Sequence, residues 1–139
     1  MGESDAFNTS PQSVLALRSV AMPMFANPHG DIFGGWLLSQ MDVAGGTVAS
    51  RRANGRVVTI AITAMTFHRR VFVGDEVSCY AQVVKIGRTS IAVKIKAFAR
   101  RGRGGPEIEV TEGLFTYVAV DSAGRPCPVP PEDTSDFPC

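Results

Sequence analysis

The sequence predicts an α+β domain: one long helix packed on a curved antiparallel sheet of about five to six strands. Three observations carry this. Only one stretch, from about Ile32 to about Arg52, has apolar residues at helical spacing: Phe33, Trp36, Leu37, Met41 and Val48. Everything after Ala53-Asn54-Gly55 alternates or runs in β-branched residues, so it reads as strand. No internal repeat and no second helical stretch separates those strands, which must therefore join mostly as antiparallel neighbours.

Taken in order, residues 1–11 are polar and expected to be a flexible N-terminus, residues 12–125 a single domain, and residues 126–139 a peripheral tail rich in proline. Val14 to Met22 alternates loosely and begins the first strand. In the loop that follows, proline at 28 holds Asn27 away from the α region, and Gly30-Asp31 offers a flexible residue followed by an expected N-cap. The helix stops at Asn54-Gly55, where a left-handed residue can close it. Arg56–Thr63 is rich in β-branched residues and predicts a buried strand; Ala64–Val73 predicts a further strand or extended segment. Glu76–Ile86 and Ser90–Arg101 alternate well on either side of Gly87-Arg88 and predict a hairpin. Ile108–Val120 is the last long strand, ended by the turn Asp121–Gly124.

A chain of 139 residues with 45% hydrophobic and 19% charged residues is neither disordered nor membrane-spanning by composition, and no signal peptide is read at its start. Its three cysteines, Cys79, Cys127 and Cys139, are odd in number and lack metal-ligand spacing, which argues against a disulfide framework and fits the cytoplasm. Nucleophile-elbow, phosphate-loop and His-Glu-x-x-His motifs are absent, and the glycines near Gly30 to Gly35 miss the dinucleotide-binding spacing. His29 and His68 stand far apart without cysteine partners, so no metal site is expected. The Arg100–Gly105 run has no interleaved aromatics and reads as a solvated loop between strands rather than a nucleic-acid contact.

The helix has one unusual feature. At about 100° per residue, Gly35, Leu38, Gly45, Gly46 and Ala49 project within roughly 60° of Asp42, while Gln40, Thr47 and Arg51 point away. A mid-helix aspartate can be an ordinary half-exposed residue, and glycines can serve helix packing alone. Yet each interior glycine costs about 1 kcal/mol relative to alanine, so backbone or a ligand is expected to need the space beside Asp42. A carboxylate against vacated volume and apolar walls would be raised in pKa by desolvation, which suits a general base.

The motifs Gly30-Asp31-Ile32-Phe33-Gly34-Gly35-Trp36 and Ser39-Gln40-Met41-Asp42 resemble those of the YciA-type acyl-CoA thioesterases of the hotdog fold. Gly55-Arg56-Val57-Val58-Thr59, Val73-Gly74-Asp75, Lys85–Ser90 and Phe115–Asp121 extend the resemblance in the same order along the chain. It implies a helix wrapped by a curved sheet, homodimers with active sites shared at the interface, and assembly as trimers of dimers. The implied activity is hydrolysis of acyl-CoA to a free carboxylic acid and CoA, with acyl-CoA as substrate and no metal or other cofactor. By motif position Asp42 is the catalytic carboxylate, acting as general base or nucleophile, and Asn27 comes from the other subunit. Gly34 and Gly35 at the helix start resemble the carbonyl-polarising site, while Gly87, Arg88, Thr89 and Ser90, with Arg56, resemble the CoA-binding surface.

The residue types suit that chemistry: a carboxylate can activate water or attack directly, helix amides can hold an oxyanion, and arginines suit phosphates. Thr63-Ala64-Met65-Thr66-Phe67 departs from the family pattern, which usually carries a Ser and an Asn around the Met. Two alternatives use the same pocket: a non-catalytic acyl-CoA sensor, and an enoyl-CoA hydratase, for which neither histidine is well placed.

Overall fold

A computed structural model describes residues 13–132. The expected flexible N-terminus and the end of the proline-rich tail lie outside these residues. Strand β1 (Ser13–Val20) is followed by a 3₁₀ turn (Pro23–Phe25), helix α1 (Gly34–Ala53) and strands β2 (Val57–Phe67), β3 (Glu76–Ile86), β4 (Ser90–Arg100) and β5 (Glu107–Ala119). The strands form one antiparallel sheet in the order β1-β3-β4-β5-β2, and α1 touches all five. This is the expected helix on a wrapping sheet, with five strands.

The helix ends as its sequence suggests. Asn54 takes the left-handed conformation, its N–H bonds the carbonyls of Ser50 and Arg51, and Arg51 and Arg52 sit by the negative end of the dipole. Its start is different. Asp31 is not the N-cap: Asp31 and Ile32 are still extended, bridged to Phe72 and Ala26, so the chain turns only at Phe33, which caps without a side-chain bond. The Asp31 carboxylate pairs with Arg70 instead, at 3.4 Å.

Small residues set the distance between helix and sheet. Leu37, Met41, Ala44, Gly45, Ala49 and Ala53 form the buried face of α1. They pack on Val77 and Cys79 of β3, Ile91, Val93 and Ile95 of β4, and Phe115 and Tyr117 of β5. Burial of each large apolar side chain here contributes about 1.5–3 kcal/mol, and the Ala/Gly face lets the sheet approach closely enough to collect it. Strand β3 is covered on its other side as well, where Tyr80 meets the edge of Phe98 at 5.4 Å and its hydroxyl reaches Glu107 at 3.2 Å.

Two further expectations are corrected. The segment after Thr63 is not a separate strand: β2 runs on to Phe67 through a bulge, with Ala64 at φ 52. The bulge folds Met65 over Gly113, where any Cβ would collide with its sulfur. Cys79 is free and buried, but Cys127 is disulfide-bonded, so the chain is not free of disulfides. The first residues of the tail are pinned to the body by Cys127 N–H to Ala119, Val129 N–H to Arg88 and Arg52 Nη1 to Pro130. No helix among the described residues is long and apolar enough to cross a membrane.

Candidate active site

Asp42 sits half-buried in the middle of α1, two turns beyond the helix start. Thr59 of β2 and Tyr117 of β5 stand opposite one another in the sheet and present their hydroxyls to it. Thr59 Oγ1 donates to Asp42 Oδ1 at 2.8 Å. The Tyr117 hydroxyl lies 3.1 Å from the same oxygen and 3.0 Å from the Asp42 backbone carbonyl. Oδ2 has no hydrogen-bond partner among the described residues. Burial, reinforced by the negative charge of Asp42, pushes the Tyr117 hydroxyl above its ordinary pKa, so it stays a donor.

At Gly45 the space beside Asp42 is taken by the Tyr117 side chain, while Gly46 faces an open groove. A Cβ at Gly45 would run into the Tyr117 hydroxyl and Ile95 Cδ1, whereas one at Gly46 would rest 3.7 Å from Tyr117 Cε2, an ordinary contact. Tyr117 lies across the glycine pair and ends at the carboxylate. Asp42 is thus held by two hydroxyls rather than standing bare among apolar walls.

Gly34 and Gly35 open the helix with no side-chain cap, and Gly34 lines a cavity of about 180 Å³. Ile32, Phe33, Leu37, Phe67 and Val71 line it, with Arg69 and Arg70 at its edge. Seven residues of helix separate Gly35 from Asp42, roughly 10 Å at 1.5 Å per residue.

An open groove of about 630 Å³, which Asp42 does not line, runs from Val43 past Gly46, Thr47 and Ser50 to Arg51, Arg56 and Val57. Of the five residues expected to hold CoA, Arg56 lines the end of this groove. Gly87 N–H bonds Ser90 to close the β3–β4 turn, Thr89 accepts from Ala119, and Arg56 accepts from the adjacent Val120. Arg88 is exposed, and the Arg56 guanidinium reaches the Ser122 carbonyl at 3.2 Å. Asn27 is not brought to Asp42. Its Oδ1 accepts from the His29 and Asp31 amides at 2.9 and 3.1 Å, shaping its own turn.

Among the described residues, one group could offer a metal three ligand atoms: His68, Glu109 and Glu112, all within 4.8 Å of one another at the surface. His68, just past the end of β2, places Nε2 3.1 Å from Glu112 and 3.4 Å from Glu109 of β5, and Lys96 of β4 approaches Glu109, so the group already links these strands.

Residues 29–105 match the thioesterase superfamily. A YciA acyl-CoA thioester hydrolase of Salmonella typhimurium is 49% identical over 126 residues, covering 88% of this chain and 95% of the relative. The chain belongs to the thioesterase superfamily, among proteins of the YciA type. Solved structures of the family superpose on it. A hexameric thioesterase from Yersinia pestis does so with a TM-score of 0.81 and 48% identity over 84% of this chain and 96% of its own. A hexameric broad-specificity acyl-coenzyme A thioesterase, in an aspartate-to-alanine variant, gives 0.83 and 43% over 89% and 91%.

Thr59 and Tyr117 escaped the residue-by-residue reading. The signal for Tyr117 was present: Gly45-Gly46 required a tenant, and Phe115 and Tyr117 point to the same face of the last strand. Thr59 gave none, being one β-branched residue in a run of them.

Proposed function

We propose that the chain hydrolyses acyl-CoA thioesters to a carboxylic acid and CoA, with Asp42 as the group that activates water or attacks the carbonyl. The observation that carries this is the geometry of the Asp42 carboxylate, held at Oδ1 by Thr59 and Tyr117 while Oδ2 is left available. The Gly34 and Gly35 amides hold the oxyanion, and CoA phosphates lie toward Arg56, Arg88 and the Gly87–Ser90 turn. Asn27 orients the carbonyl or the water. Side chains and backbone amides run the reaction in this reading, without a metal or organic cofactor.

The site is completed by a second copy. The separation of amides and carboxylate along α1 supports a site built from the helix start of one subunit and Asp42 of the other. Strand β2 is an edge with one side unpaired, and its Val58, Ile60 and Phe67 are 41%, 58% and 54% exposed. A long apolar edge of this kind is a ready template for pairing with another chain. The dimer joins there, and three such dimers make a hexamer, the size of the Yersinia pestis thioesterase assembly.

Thiol release from short, medium and long acyl-CoAs tests the reading, alongside the mass in solution by light scattering. Turnover by a hexamer is expected. Tight CoA binding without thiol release would replace the enzyme with a sensor, and an active monomer would overturn the shared site.

A further inference from the structure

The Tyr117 side chain is 1% exposed and its hydroxyl makes its only recorded bonds to one residue, Asp42. Three independent features build that contact. Gly45 supplies the space, since any side chain there would displace the hydroxyl. The β2–β5 register sets Tyr117 directly across from Thr59, so both hydroxyls converge on Oδ1. The one hydroxyl proton of Tyr117 is shared with the Asp42 backbone carbonyl at 3.0 Å, which ties the phenol to the main chain that carries the carboxylate.

A lone donor would leave the carboxylate free to turn about its terminal torsion, which is a soft one. Thr59 donates to Oδ1, and the single Tyr117 proton is shared between Oδ1 and the Asp42 carbonyl, so the phenol bridges the carboxylate to the main chain and restrains the plane of the group and with it the direction of Oδ2. We propose that Tyr117 is a positioning residue for the hydrolysis: it sets the orientation of Asp42 without touching the substrate. The inference rests on the reading of Asp42 as the reacting carboxylate. Misplacing a catalytic group by about 1 Å costs on the order of 10²-fold in rate, so losing one of two restraints costs about tenfold.

The test is Tyr117→Phe, alone and combined with Asp42→Ala, with kcat and KM measured on an acyl-CoA the wild type turns over. The single variant is expected to lose about tenfold or more in kcat with KM within about twofold, because the ring stays and only the donor goes. In the Asp42→Ala background the same change is expected to leave the residual rate unaltered. Wild-type kcat in Tyr117→Phe, or a loss that multiplies with that of Asp42→Ala, overturns the proposal. Should the Phe variant fail to fold, 4-fluorophenylalanine at position 117 fills the hydroxyl's place without donating and must give the same kcat loss. Wild-type activity in Asp42→Ala alone overturns the proposal through the function it rests on, and is distinguishable because it appears without any change at Tyr117.

Discussion

Gly45→Ala is the substitution whose effect the structure determines most sharply, because two large opposing terms meet at one atom. Replacing an interior helical glycine with alanine ordinarily stabilises by about 1 kcal/mol. Here the added methyl would strike the Tyr117 hydroxyl and Ile95 Cδ1 and lie 3.1 Å from Tyr117 Cε1. Neither neighbour can swing into solvent, since Tyr117 is 1% and Ile95 0% exposed. Overpacking of that kind costs about 1–3 kcal/mol, and the displaced phenol gives up a hydrogen bond worth about 0.5–1.5 kcal/mol. The net is a destabilisation of about 1–3 kcal/mol together with a fall in kcat. Gly46→Ala meets only an ordinary contact, so its helix gain survives. Melting curves of the two variants should therefore differ by on the order of 10 °C, with Gly45→Ala the lower. A Gly45→Ala protein that melts at or above the wild-type temperature with full activity would refute the packing argument.

The remaining predictions concern groups away from Asp42. Burial pushes the Cys79 thiol up to about 12, so at pH 8 the folded protein should leave it unlabelled by a disulfide reagent, with labelling rising only as urea unfolds the chain. Rapid labelling of Cys79 in the native state would show that the sheet opens there. At Glu112, burial alone would raise the carboxyl, but the hydrogen bond with His68 and the charges of Lys96, His68 and Lys94 outweigh it and hold it below the usual carboxylate range. A lowered carboxyl stabilises the fold at pH values above its unfolded pKa and loses that contribution as pH falls through the folded one. Glu112→Gln should thus be less stable than wild type at pH 7, by no more than about 1 kcal/mol for so exposed a pair, and indistinguishable from it in strong acid. A gap that persists or widens in acid would mean that the charge on Glu112 is not what stabilises the fold there.

Much of this architecture could be read from the residues. The β3–β4 hairpin announces itself through strict alternation around Gly87, and its strands fall within a residue of the expected bounds. The end of α1 is legible because Asn54-Gly55 can do little else. Asp31 has the right chemistry for a cap, yet a bridge to Phe72, some forty positions away, holds its backbone extended and the helix starts later. The β2 bulge was read as a strand break for a related reason. Ala64 has no sequence mark of a positive φ, and the space that receives Met65 is made by Gly113 on another strand. In the candidate site, Asp42 and its glycines stood out in the helix pattern, but their tenant did not. Local periodicity describes which face a residue occupies; it does not say which strand lies across from it.

The most direct test of the account is the kcat of Asp42→Asn on an acyl-CoA. The amide keeps the size of the carboxylate and can still present its oxygen to Thr59 and Tyr117, so fold, assembly and KM should be retained while the charge is lost. The account predicts a fall in kcat of about 10²-fold or more. An Asp42→Asn enzyme releasing thiol at the wild-type rate would contradict it.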